Sequence, residues 1–144
     1  MRMTQRTSIF ATAIAVFFVA SCASSFGSED EELSDKAVSL GYIAVAVDGY
    51  IRFGKPPKSL NGEALLTQAT SQNPKLLAPL SDYFIQVRRE GTHSSVLLCD
   101  KEKARGLAED AGCTSSKLDA AYWKSAPNAP CEFQLILANT CNRK

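Results

Sequence analysis

The sequence predicts an α+β fold, with N-terminal helices packed on one face of a small antiparallel sheet of three to four strands and two disulfides bracing it. Three observations predict it. Helix caps and helical spacing of apolar residues run through residues 34–80. After Tyr83 the apolar period changes to two, which is typical of strands. Four cysteines follow between residues 99 and 141. Segregated helices and strands bury their apolar sides against each other, so the helices should cover one face of the sheet.

Residues 1–21 have the character of an export signal. Two basic residues, Arg2 and Arg6, precede an uncharged apolar run from Ile9 to Ala20. The run is shorter than the roughly 20 residues that span a bilayer. It ends in Val19-Ala20-Ser21-Cys22, which resembles the lipobox of bacterial lipoproteins. An ordinary cleaved signal that releases a soluble protein is the alternative.

That resemblance implies that Cys22 carries a diacylglyceryl thioether and becomes the mature N-terminus. The protein would then contact the membrane, its expected partner, through this lipid anchor. Because Ala23, not Asp, follows the cysteine, the resemblance implies the outer membrane, facing the periplasm. Residues 22–33 are small and acidic and predict a flexible stem, since such residues bury too little surface to offset the entropy of ordering. Residues 34–144 then form a single α+β domain.

The first helix is expected from about Asp35 to Phe53, with Ser34 as its N-cap and Gly54 after its end. Its apolar stripe is Leu40, Ala44, Val47 and Ile51, widened by Val38, Tyr42 and Val45. The β-branched content of residues 42–47 leaves a strand open as the alternative. Gly41 and Gly49 weaken a helix by about 1 kcal/mol each, and close packing is the expected reason. Asp48 and Arg52 should pair on the exposed side.

A second helix is expected from Gly62 to Ser71, capped by Asn61, and a short helical turn follows Pro74. The core candidates in this region are Leu65, Leu66, Ala69, Leu76, Leu77 and Leu80.

Two strands, from Tyr83 to Arg88 and from Ser95 to Cys99, flank a turn at Gly91 and predict a β-hairpin. Residues 104–108 are read as a third strand, with a short helix over this region as the alternative. A short helix is expected from Lys117 to Trp123, and Cys131 to Leu137 alternates as a final strand.

The four late cysteines, Cys99, Cys113, Cys131 and Cys141, predict two disulfides, because an even number in an exported chain is typical of them. None of them has the short spacing of zinc ligands, so no metal site is expected. Three connectivities are possible. Cys113 and Cys131 flank one loop-rich segment, whereas Cys99 and Cys141 each end an apolar run. We therefore expect Cys113–Cys131 and Cys99–Cys141.

The sequence indicates a binding or assembly role and no catalysis. Sixteen basic and fifteen acidic residues give no basic surface for nucleic acid. The single histidine, His93, is expected in an exposed turn, and Glu109 and Asp110 should point to opposite faces of a strand. No cofactor motif is present.

Tyr122, Trp123 and Asn128 lie in or beside a proline-rich loop. Packing of one aromatic ring on a disulfide or on the sheet is the favoured interpretation, and a binding surface formed by these residues is the alternative. An envelope protein partner is expected. Inhibition of a cell-wall-degrading enzyme of the lysozyme type and a small envelope hydrolase are the competing functions.

Overall fold

The computed structural model describes residues 28–115 and 129–142 of the chain. The helices are α1 (Ser28–Gly49), α2 (Gly62–Thr70), α3 (Gly112–Ser115) and α4 (Leu137–Cys141), with a π-helical turn at Tyr50–Gly54 and a 3₁₀ helix at Pro74–Leu80. The strands are β1 (Phe84–Glu90), β2 (His93–Cys99), β3 (Arg105–Ala111) and β4 (Ala129–Pro130). They form one antiparallel sheet in the order β1-β2-β3-β4. The α+β fold with its two disulfides is confirmed.

The first helix is longer than predicted, and the strand alternative is wrong. Because α1 begins at Ser28, Ser34 does not cap it, and residues 28–33 of the predicted stem are helical. Glu31 and Glu32 lie near the start of α1, where negative charge complements the positive end of the helix dipole. Glu32 also forms an ion pair with Lys36 one turn later. The polarity of these residues predicted a flexible stem. Their charge at the start of α1 favours the helix instead.

The core lies between α1 and one face of the sheet. Its buried members are Leu40, Ile43, Ala44, Val47 and Ile51 from α1 with its π-helical turn, and Val87, Val96, Leu98 and Ala108 from the strands. Helix α1 approaches the end of the sheet closely at Gly112, where an added Cβ would lie 2.8 Å from the Cβ of Asp48 and 2.6 Å from Ser94 Oγ. A larger residue at Gly112 would push the helix away from the sheet.

The outer face of α1 departs from the sequence prediction. Val38, Tyr42 and Val45 were expected to widen the buried stripe, but they are 42%, 56% and 42% exposed. An added Cβ at Gly49 would meet no atom within 4 Å, so close packing within the described chain does not account for this glycine. The predicted pair of Arg52 and Asp48 is confirmed at 2.8 Å, but it does not lie on the exposed side as expected, because the side chain of Asp48 is only 14% exposed.

The middle of the chain follows the prediction. Asn61 Oδ1 accepts the backbone N–H of Gly62 at 2.8 Å and caps α2. The 3₁₀ helix begins with Pro74 at its first position. Leu65, Leu66 and Leu80 are buried, while Ala69, Leu76 and Leu77 are partly buried against the same core.

The predicted hairpin is confirmed. Strands β1 and β2 pair from Phe84↔Cys99 to Glu90↔His93, which leaves a two-residue loop of Gly91 and Thr92. Gly91 has a φ of 64°, the conformation that such loops require and that glycine adopts without strain. The third strand is also confirmed and is longer than expected, from Arg105 to Ala111.

The predicted final strand is wrong. Strand β4 contains only Ala129 and Pro130, and residues 131–136 pair with no strand among the described residues. The backbone N–H groups of Gln134 and Leu135 donate instead to the carboxylate of Glu109, at 2.8 and 3.2 Å. A side chain therefore replaces the partner strand here.

The predicted disulfide pairing is also wrong, because Cys99 bonds to Cys131 and Cys113 to Cys141. Cys99 lies opposite Gly106 on one side of β3, and β4, which Cys131 follows directly, lies opposite Gly106 on the other. Cys113 follows the far end of β3, roughly 20 Å away by strand geometry. Among the described cysteines, Cys141 on the neighbouring helix α4 is the one left within its reach.

Candidate functional site

A cleft of about 400 Å³ runs along β1 on the side away from β2. We call it the β1 cleft. Helix α2 contributes Glu63 and Leu66, the 3₁₀ helix contributes Leu77 and Leu80, and β1 contributes Phe84, Ile85, Gln86 and Val87. Successive residues of a strand point to opposite faces of a sheet. Since four successive residues of β1 line it, the cleft follows the edge of the strand and not one of its faces.

Among the described strands, β1 has a neighbour on one side only, because it is the first in the sheet order. In an antiparallel pair, alternate residues direct both backbone groups toward the neighbouring strand. Glu90 and His93 close the two-residue loop, so Gln86, Arg88 and Glu90 bond to β2. The N–H and C=O groups of Ile85 and Val87 consequently point to the open edge, into the β1 cleft.

At the end of β1 nearest the Gly91 turn, the edge already has a hydrogen-bond partner. Arg89 follows the same alternation as Val87, and its backbone N–H donates to Asn61 Oδ1 at 3.0 Å. This contact from outside the sheet independently supports the assignment of edge-facing groups. Within residues 28–115 and 129–142, no comparable partner bonds to the backbone of Ile85 or Val87. These four backbone groups therefore have no partner among the described residues, and of the two residues Ile85 is half-buried whereas Val87 is 6% exposed.

The two ends of the β1 cleft differ in charge. At one end the ammonium of Lys103 lies 3.9 Å from the centre of the Phe84 ring, whereas the ammonium of Lys36, 4.7 Å from the centre of the Tyr83 ring, is already paired with Glu32. Glu63, in the first turn of α2, lines the other end. A ligand with an acidic group toward Phe84 and a basic group toward Glu63 fits this polarity.

The two adjacent carboxylates of β3 lie on opposite faces of the sheet, as predicted. Glu109, 1% exposed, accepts a hydrogen bond from Ser95 Oγ at 2.6 Å and holds the C-terminal segment as described above. Asp110 lies on the face that α1 covers, opposite Val96. Burial raises the pKa of Asp110 to about 7, although the Thr114 hydroxyl and the Ala111 N–H oppose that shift. Neither carboxylate lines the β1 cleft.

Four of the eight site residues proposed from sequence lie outside the described part of the chain. These are Cys22, Tyr122, Trp123 and Asn128, together with the helix expected from Lys117 to Trp123. The four late cysteines are all in disulfides. Residues 28–115 and 129–142 contain no group of three histidine, cysteine, aspartate or glutamate side chains placed to hold a metal ion.

His93 differs from the expected exposed turn residue. It is the first residue of β2 and is half-buried. Its Nδ1 atom is buried without a hydrogen-bond partner among the described residues.

The β1 cleft was not foreseen from the sequence. Alternation from Tyr83 to Arg88 predicted the strand, but nothing in that pattern indicated that it would be an edge strand. The residue that connects the sequence to this edge is Asn61. Its side chain caps α2, as predicted, and it also accepts the backbone N–H of Arg89 at the edge of β1.

None of the helices in the described ranges combines the length and apolar character that crossing a bilayer requires. Comparison with protein-family models, with curated proteins and with solved structures gives no match.

Proposed function

We propose that this chain is a lipid-anchored bacterial envelope lipoprotein with a non-catalytic binding role. In this proposal Cys22 carries the lipid, and the β1 cleft takes up an extended segment of another envelope protein as a fifth strand. The observation that carries it is the open edge of β1, where Ile85 and Val87 face the cleft.

An extended chain suits this site better than a helix or a small ligand does. The edge groups of Ile85 and Val87 are two residues apart, so they repeat at about 6.6–6.8 Å, which is also the repeat of an incoming strand. Strand addition of this kind derives affinity from backbone hydrogen bonds and specificity from pockets for alternate side chains. Leu66, Leu77 and Leu80 supply an apolar pocket beside the edge.

A protein without a bound partner must also prevent such an edge strand from pairing with other chains. Exposed edges are templates for aggregation, and proteins usually cover or interrupt them. Within the described ranges, Asn61 covers the position of Arg89 and no other residue bonds to this edge. The uncovered portion coincides with the cleft, which supports a role in recognition.

Photo-crosslinking in intact cells tests this proposal. A photoreactive amino acid in place of Glu63, inside the cleft, should link a specific envelope protein, whereas one in place of the exposed Ser71 should not. Proline is tolerated on an edge strand where its missing N–H would face outward. Ile85→Pro should therefore abolish the crosslink and keep the sheet intact.

Ile85→Ala is the matched control, because it shortens the side chain but keeps the edge N–H. It should retain most of the crosslink. Equal crosslinking by the folded proline variant would show that strand addition is not the mode of binding.

A further inference from the structure

The outer face of α1 carries a regular apolar stripe that lies outside the buried core, with Tyr42 at its border beside Leu76 and Pro79 of the 3₁₀ helix. We call Val38, Tyr42, Val45 and Gly49 the outer stripe. Their spacing of four, three and four residues is the a/d repeat of a coiled coil. The first three are 42%, 56% and 42% exposed, and open space surrounds Gly49. Contiguous exposed apolar surface of this kind marks an interaction site.

The outer stripe is complementary to itself when two copies run antiparallel. With a two-fold axis between Ile43 and Ala44, Val38 faces Gly49 of the second copy and Tyr42 faces Val45. A large residue then meets a smaller one in each layer, which allows interdigitation. The absence of a side chain at Gly49 leaves the room that Val38 of the other copy needs.

The charges at the ends of the stripe favour the same arrangement. The antiparallel alignment brings Asp35 opposite Arg52 of the second copy. Asp35 is exposed and has no ion-pair partner among the described residues. Arg52 is bound to Asp48 through Nε, which leaves its terminal nitrogens free to donate to a second carboxylate. A parallel alignment would instead place Asp35 against Asp35 and Arg52 against Arg52, which is repulsive.

We propose that a second copy of this chain docks on the outer stripe, so that two α1 helices pack antiparallel in a symmetric dimer. Such a two-fold interface uses the same surface on both copies. The interface is separate from the β1 cleft and does not depend on the binding role proposed above.

Cysteine crosslinking of the full-length protein, expressed in cells and oxidised after extraction, tests the proposal. Val38→Cys and Gly49→Cys replace residues at open positions, so both variants should fold with their native disulfides. Co-expression of the two variants should give a disulfide-linked dimer. Neither variant should link to itself, because in the antiparallel dimer the two copies of position 38 lie about 17 Å apart along the helix axis.

A failure of the co-expressed pair to link would overturn the proposal, and so would equal linking of Val38→Cys with itself, which signifies a parallel pair. Charge reversal gives a second readout in detergent solution. Asp35→Arg should weaken self-association by about tenfold or more, and adding Arg52→Glu should restore it. Association unchanged by Asp35→Arg would also overturn the antiparallel dimer.

Discussion

The carboxylate of Glu109 accepts the backbone N–H of Gln134 at 2.8 Å, so that a buried acid on β3 holds the segment that leads to α4. The same oxygen accepts the N–H of Leu135, and the other oxygen accepts the Ser95 hydroxyl. Hydrogen bonds to an ionised carboxylate are stronger than those between neutral groups.

Glu109→Ala should destabilise the protein by about 2–4 kcal/mol, because it leaves two backbone N–H groups and a buried hydroxyl without their acceptor. The measurement is the free energy of unfolding in urea, with the exposed acid Glu132 replaced by Ala as the control. A loss within about 0.5 kcal/mol for Glu109→Ala, the range of ordinary surface substitutions, would contradict this structural role.

The contribution of Asp110 to stability should fall as the pH rises from about 4 to about 7. In the folded protein Asp110 keeps its proton up to a pKa of about 7, whereas its ordinary value is 3.8. Between these values the folded state holds the extra proton, so the free energy of unfolding decreases by at most about 1.4 kcal/mol per pH unit from this residue.

Asp110→Asn should therefore flatten the dependence of stability on pH over that interval. Asp82→Asn, at an exposed position, should leave the dependence unchanged. Urea unfolding across the pH range provides the comparison, and parallel curves for Asp110→Asn and the unmodified protein would rule out an elevated pKa.

Two asparagines that precede helices should differ in importance. Asn61 Oδ1 accepts the N–H of Gly62 and that of Arg89, whereas Asn73 makes no side-chain capping bond. Asn61→Ala should cost about 1–2 kcal/mol, and Asn73→Ala should cost much less. Thermal or urea unfolding of the two variants measures the two losses of stability. Equal losses would contradict a stabilising contact of Asn61 between α2 and the edge of β1.

The lipid anchor makes a prediction about Cys22. Cys22→Ser should abolish the acyl mass and the attachment to membranes, since serine cannot form the thioether. Mass spectrometry and membrane fractionation measure both properties. A protein that sediments with membranes at unchanged mass after this substitution is not anchored through Cys22.

The elements that the sequence predicted correctly are those specified by neighbouring residues. Asn61 caps a helix one residue away, and Gly91 lies in the loop that joins two alternating runs. Both signals act over a few positions, so they can be read without knowledge of the fold.

The features that escaped prediction depend on distant residues. The N–H of Gln134 could not be assigned to Glu109, because the two are 25 positions apart and a carboxylate serves as the partner. The disulfide pairing depends on where a two-residue strand meets β3. The apolar residues of α1 occur on several sides, so periodicity did not reveal that Tyr42 faces outward.

The open edge of β1 is likewise a property of strand order, which alternation within a strand does not specify. Hydrogen exchange tests its use most directly. In isolated envelopes, the amides of Ile85 and Val87 should exchange slowly if a partner strand covers the edge, and they should exchange quickly in the purified protein. The amides of Gln86 and Arg88, bonded to β2, should be slow in both. Equally fast exchange of Ile85 and Val87 in envelopes and in the purified protein would contradict strand addition at this site.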